Sequence, residues 1–239
     1  MAQIPKKYLM LYSNCVICSE PLIYKKVLVT KRCYHCGIEV RTNTVCTNGH
    51  FVCDECSRRD VYDMIISECL NYDGINPIEL ANKIMSSNIV KTHGPEHHLI
   101  VPAVMLSVYL NYKKQSELKN EMLDDAKNRA LKIHDGICAT HGVCGGAIGV
   151  GLFFSIILEV NELDIQNYSY INSATASTLI NVAKYGGPRC CKRSTYFGIL
   201  QIRNFLADDF DIKLPLPDSV KCTFFPENIE CTKENCLFY

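Results

Sequence analysis

The chain has 239 residues, is 48% hydrophobic and carries 25 basic against 25 acidic side chains. That is room for one domain of ordinary size with a real core, plus a small module. Residues 1–60 hold nine Lys/Arg against five Asp/Glu and the remainder sixteen against twenty, an imbalance too small to argue for a nucleic-acid partner.

Fifteen cysteines, about 6% of the chain, are the unusual feature. No basic, apolar and small-residue succession opens the sequence, so no signal peptide and a cytoplasmic location are expected. In a reducing compartment this much cysteine points to metal rather than disulfides, and the odd count argues against a complete disulfide framework.

In chain order, "YKKVLVTKR" and "GIEVRTNTV" read as short strands separated by turns. Around them lie Cys15-x2-Cys18, Cys33-x2-Cys36, Cys46-x3-His50 and Cys53-x2-Cys56: eight soft ligands in four close pairs. Zinc takes four tetrahedral nitrogen and sulfur ligands, and one tight turn can supply two of them. Eight ligands suit two zinc ions. Joining first with third and second with fourth pairs gives a cross-brace; sequential pairing is the alternative. An iron–sulfur cluster competes as occupant, and His50 favours zinc. So few large apolar side chains need a metal to fold.

From Asp60 the spacing turns helical. "DVYDMIISECLNY" aligns Val61, Met64, Ile65 and Cys69 on one stripe, with Cys69 read as plain core. Asn76 and Pro77 cap and open a second helix. A third is expected to start at Pro95 and bend near Pro102. A charged one, capped by Ser116, runs through "SELKNEMLDDAKNRALKI". Residues 142–158 lack charge over seventeen positions. That falls short of the ~20 that a spanning helix needs, so a buried core helix, and no membrane association, is expected. After a polar loop over 161–170, "SATASTLINVAKYGG" ends on glycine as helices do, and "STYFGILQIRNFLADDF" follows with Ser194 as its cap. The tail is irregular and carries three cysteines. The fold expected is mainly α: a zinc-ribbon-like β module over 1–59, then an all-α, cysteine-rich body over 60–239 with the uncharged helix at its centre.

Three constellations in the body carry chemistry. "HDGICATHGVCGG" sets Cys138 and Cys144 around His141, just before an apolar helix whose N-terminal amides favour thiolates and anions. "GGPRCCKRS" sets Cys190 and Cys191 among Arg189, Lys192 and Arg193, cations that lower a thiol's pKa and can grip an anion. Adjacent side chains diverge, so one of the two can ligate while the other packs. "THGPEHH" offers His93, His97 and His98 beside Glu96 as proton carriers or ligands. Cys222, Cys231 and Cys236 of the tail can wrap back to complete a cluster. One shared centre is expected, joining Cys138 or Cys144 to Cys190 or Cys191 with a tail cysteine nearby.

"GPEHHLIVPAV", "GICATHGVCGGAIGVG", "GGPRCCKRSTY" and the closing cysteines before "FY" resemble an uncharacterised cysteine-rich domain family of anaerobic archaea and bacteria. Its members are sometimes joined to radical-SAM or methyltransferase domains. The resemblance spans roughly residues 60–239 and implies an anaerobic, metal-dependent setting.

The reading that follows is a metalloprotein with two structural zinc ions and a [4Fe–4S] cluster on the body cysteines. It acts by elimination or sulfur transfer on a small anionic or sulfur-containing substrate. His141, His97 and His98 move protons, and Arg189 or Arg193 holds the anion. Two other readings stay open. One is a non-enzymatic adaptor docking on RNA or on a larger redox or cofactor-assembly complex. The other is a cluster-free thiol enzyme with Cys138 or Cys191 as nucleophile and His141 as base.

Overall fold

The computed structural model describes residues 15, 17, 18 and 20–239. The chain divides into two compact units, Met1–Asp60 and Val61–Tyr239. It is mainly helical, with a small sheet near the N-terminus.

In the first unit, β1 (Leu22–Arg32) and β2 (Glu39–Cys46) pair antiparallel, from Leu22 opposite Cys46 to Arg32 opposite Glu39. The register slips between Tyr24 and Val29, so Lys25, Lys26, Val27 and Leu28 leave the ladder and stand exposed. Such a bulge twists a strand locally. The soft ligands sit at the ends of the ribbon, where the chain turns. Gly37 and Gly49 hold positive φ angles of 71° and 84° there, and their amides bond back to the carbonyls of Cys33 and Cys46. Glycine adopts that backbone without strain. The helix α1 (Asp54–Leu70) carries Cys56 in its first turn, and its later residues belong to the second unit.

The second unit is an all-α layer packing built on α2 (Pro77–Met85), α3 (His97–Lys113), α4 (Lys119–Leu131), the short α5 (Ile137–Thr140), α6 (Gly145–Ile157), α7 (Asn167–Tyr185) and α8 (Cys191–Phe210). The central element is the uncharged α6, which packs on α3, α4, α7 and α8. Phe153 and Phe154 are fully buried, and Phe154 meets the rings of Tyr170, Phe205 and Phe210. No helix among the described residues is long and apolar enough to cross a membrane.

The N-terminal half of α6 is glycine-rich because its backbone lies against other backbones. A methyl at Gly198 would stand 2.9 Å from the Gly146 carbonyl oxygen, and one at Gly146 would stand 2.9 Å from the carbonyl of Ser194. A methyl at Gly149 would press on Val101 and Pro102 of α3, and one at Gly145 would collide with the ring of His98. The glycines therefore draw the start of α6 against α3 and the start of α8.

Four helix starts, those of α3, α4, α7 and α8, differ from expectation. α2 is capped by Asn76, whose side chain accepts from the amides of Ile78 and Glu79, as read. Ser116 opens a 3-10 turn instead of a cap and donates to Asn111, so α4 begins at Lys119. α3 starts two residues after Pro95. α8 starts before Ser194, which lies buried inside it; the cap is Cys190, whose sulfur accepts the Arg193 amide at 3.4 Å. α7 also reaches back to Asn167, into the segment expected to be loop. The tail keeps its irregular backbone, broken by the 3-10 turns Phe225–Glu227 and Lys233–Asn235. It is strapped to α8 by Phe238, which packs on Tyr196 and Phe197, and by Lys192, whose ammonium stands 3.9 Å from the centre of the Phe224 ring.

Gly198→Ala should destabilise the second unit by about 1–3 kcal/mol, because the added methyl meets backbone that cannot rotate away. Gly151→Ala should be near neutral: the new methyl meets only the Thr175 hydroxyl, a side chain that can turn. Thermal unfolding of the two variants beside wild type checks the ordering.

Candidate metal centres

The eight ligands of the first unit fall into two tight groups, Cys15, Cys18, Cys46 and His50, and Cys33, Cys36, Cys53 and Cys56. Within each, the ligand atoms all lie within 4.8 Å of one another. The first pair joins the third and the second joins the fourth, so the sites interleave as a cross-brace. Cys18 and Cys46 sulfurs are 3.5 Å apart, Cys36 and Cys53 sulfurs 3.7 Å, and His50 Nδ1 lies 3.3 Å from Cys18 Sγ. A tetrahedron of sulfurs about 2.3 Å from a central ion has edges of about 3.8 Å. Both groups have the dimensions and donors to hold a metal ion.

Backbone amides also prepare the sulfurs. The Cys53 amide donates to Cys33 Sγ and the Asn48 amide to Cys46 Sγ, each at 3.3 Å. Burial opposes ionisation of Cys33 and Cys46, yet hydrogen bonds to the sulfurs outweigh it and bring both to about 6. Such bonds favour the thiolate, which is the form that binds metal.

Apart from the buried Cys69, the seven cysteines of the second unit are all half-buried and form no group this tight among the described residues. Cys138 and Cys144 meet Cys190 and Cys191 on one cavity, the juxtaposition expected, and Cys190 also reaches the three tail cysteines. Cys138 on α5, Cys144 at the N-cap of α6 and Cys191 in the first turn of α8 line one cavity of about 590 Å³. Cys190 lines that cavity too, and it also lines a second pocket with Cys222, Cys231 and Cys236 of the tail.

The cavity is walled by the starts of α6 and α8, with His98, Arg189 and Asp135 around it. Arg189 donates from Nη1 to Cys138 Sγ at 3.3 Å, and no carboxylate among the described residues lies within ion-pair distance of it. Burial pushes the Cys191 thiol up to about 12, against the Arg189 charge and a hydrogen bond from the Gly94 amide. Burial raises Cys190 as well, despite the Arg193 amide and charge. The expectation that flanking cations would lower these thiols therefore reverses: desolvation is the larger effect.

The other side chains singled out in the sequence divide sharply. His98 is buried on the cavity wall, beneath Gly145. His97 touches the cavity but uses both ring nitrogens elsewhere: Nδ1 lies 2.8 Å from the Thr195 hydroxyl and Nε2 3.0 Å from the Lys91 carbonyl. Arg193 donates to the carbonyls of Gly186 and Pro188 and so shapes the loop before α8. Lys192 is buried and donates to the Met85 carbonyl at 2.6 Å. His141 is exposed, bonded to the neighbouring Thr140, and absent from the cavity wall. His93 pairs with Glu230 of the tail at 3.3 Å. Cys69 is fully buried core. Sequence reasoning passed over Gly94 and Asn228, whose N–H groups face Cys191 and Cys190; no spacing or residue type marks them.

A model described as a family of unknown function (DUF5714) matches residues 65–239. The chain belongs to that family. The DUF5714 span contains the cavity, the tail pocket and all seven of their cysteines, while both tight groups of the first unit precede it. No curated protein and no solved structure matches the chain.

His97 supplies a pH test. Burial lowers its pKa to about 3 in the folded protein, below the ~6.5 of an exposed imidazole. The unfolded chain therefore binds a proton that the folded one refuses. The contribution is intact above about 6.5 and is lost as pH falls towards 3, at up to about 1.4 kcal/mol per unit. His97→Gln should flatten this part of the stability profile between pH 6 and 4.5, measured by denaturant unfolding of variant and wild type.

Proposed function

We propose that this DUF5714 protein is a zinc-braced iron–sulfur protein whose chemistry takes place in the 590 Å³ cavity of its helical unit. The observation that carries the reading is the convergence of Cys138, Cys144 and Cys191 on one cavity beside a half-buried guanidinium. The volume lies in the range of small-ligand sites. Arg189 brings a positive charge against soft sulfur atoms, with Asp135 as a carboxylate on the same wall beyond ion-pair distance. Thiolates bound to metal would add negative charge in direct contact with the guanidinium, and neutral thiols would not.

Three cysteines match a [4Fe–4S] cluster with one iron left open, which supplies a Lewis acid or a seat for a sulfur ligand. The chain's own groups divide the remaining work. Arg189 holds an anionic substrate group and neutralises the thiolates. The amides at the start of α6 face the same space and favour negative charge. His98, packed under Gly145, is the histidine placed to take or give a proton. His141, His97 and Arg193 have no such part. The supported reaction types are elimination and sulfur transfer on a small anionic substrate.

In the first unit zinc is the proposed ion: sulfur–sulfur edges near 3.7 Å suit one tetrahedral ion, and an imidazole completes one set. A cube of iron and sulfur would hold its thiolates farther apart. A docking role for this unit is the second reading, favoured by Val27 and Leu28, which are 68% and 53% exposed on the β1 bulge. Cys191 as the nucleophile of a cluster-free thiol enzyme is disfavoured by burial, which raises its pKa.

Full-length protein purified without oxygen should contain two zinc ions and be brown. Serine at Cys138, Cys144 or Cys191 should each remove the iron of the cavity, while Cys69→Ala leaves it. Retention of full iron by the Cys138 and Cys191 variants would refute the cavity site. Cys33→Ser with Cys36→Ser should lower zinc by about one ion per chain and unfold the first unit, read by elemental analysis and circular dichroism.

A further inference from the structure

The three tail cysteines lie outside the cavity, and the fold gathers them around Cys190, which borders the cavity as well. Cys190 caps α8. Cys222, Cys231 and Cys236 arrive on the tail, separated by eight and four residues. All four line one pocket between the start of α8 and the tail, walled by Tyr196, Phe224 and Phe238. We infer that Cys190, Cys222, Cys231 and Cys236 hold a second metal centre, a [4Fe–4S] cluster closed by four cysteines and separate from the centre in the cavity.

The spacing of the sulfurs argues for a cluster over a single ion. No three of them come within 4.8 Å of one another, unlike the two groups of the first unit. A lone tetrahedral ion needs edges of about 3.8 Å, whereas a cube of iron and sulfur is approached from separate corners. The donor set is all sulfur, with no imidazole or carboxylate needed to complete it.

The surroundings suit bound thiolates. The Arg193 amide donates to Cys190 Sγ at 3.4 Å and the Asn228 side-chain amide to the same sulfur at 3.8 Å. The Lys233 amide donates to Cys231 Sγ at 3.4 Å, and the Phe224 backbone bonds to Cys222. N–H groups directed at cluster sulfurs, and an apolar shell around them, are what tune such centres. Four thiolates also bring negative charge, and the buried Lys192 and Arg193 flank the pocket with two cations. The tail backbone is shaped to match. The Cys222 amide bonds to the Phe238 carbonyl at 2.6 Å, closing the tail into a loop around the cysteines.

A centre closed by four cysteines offers no open iron to a substrate, so its use is one-electron transfer. It accepts one electron from a reduced protein donor of the iron–sulfur or flavin class and passes it to the cavity centre as a single priming reduction, since elimination and sulfur transfer consume no electrons. No bond or proton changes hands. Cys190 and Cys191, consecutive in the chain, are ligands of the two centres and shorten the path between them. This relay rests on the cavity reading; the second centre itself does not.

The test uses full-length protein purified without oxygen, loaded with iron and sulfide, and reduced with dithionite. Wild type should bind about eight irons, and its reduced EPR spectrum should be the sum of two cluster signals. Cys222→Ser and Cys236→Ser should each lose about four irons and one signal, keeping the signal that Cys138→Ser removes. If a tail variant fails to fold, the wild-type iron count and the two signals still decide. A wild type limited to four irons, lost equally from Cys138→Ser and Cys222→Ser, would mean one shared centre and overturn the second cluster while sparing the cavity site. Loss of a third zinc instead of iron from Cys222→Ser would overturn it as well. A wild type with four irons and one signal, lost from Cys222→Ser and kept in Cys138→Ser, would sink the cavity site and leave this one standing.

Discussion

Gly146 and Gly198 let two helix backbones meet where a single methyl group would hold them apart. Helix pairs ordinarily keep their axes 8–10 Å apart because side chains fill the space between. At the crossing of α6 and α8 there are none, and the N-termini of both helices come to the same region. Each of these helices has a cysteine at its N-cap position, Cys144 and Cys190. Close approach of the backbones is therefore what turns two distant sequence segments into neighbours carrying soft ligands. The apolar remainder of α6, with Phe153 and Phe154, anchors this crossing in the core.

Much of the fold was readable beforehand because it rests on local signals. The strand runs, the Asn76–Pro77 start of α2, the glycine end of α7 and the uncharged α6 each depend on nearest-neighbour chemistry or on a simple period. The errors at helix starts have one cause. Ser116 and Ser194 are good caps by residue type, but the fold offered a competing acceptor to one and a longer helix to the other. Cysteine is seldom counted as a cap, so Cys190 went unseen.

The ligand groups were readable as a set and not as a partition. Four pairs at two- and three-residue gaps announce two metal sites in any cysteine-rich chain, yet spacing carries no information about which pairs meet. In the body the same limit appears at one peptide bond: nothing in "RCCK" says that both cysteines border one cavity while only Cys190 also reaches the tail. The direction of His141 was equally hidden, since an exposed turn and a ligand turn share the same residues. Burial reversed the electrostatic expectation for Cys190 and Cys191, because charge is visible in a sequence and desolvation is not.

The interleaved pairing of the first unit has a consequence for the order of assembly. Joining Cys18 to Cys46 closes a long ring of chain, and Cys33 and Cys36 lie inside that ring, while Cys53 and Cys56 follow close behind. Much of the entropy needed to gather the second set is thus already lost when the first has formed, since closing a shorter remaining loop costs less. A metal ion held in one group would therefore lower the chain-closure cost of filling the other, so the two groups would favour each other's occupancy.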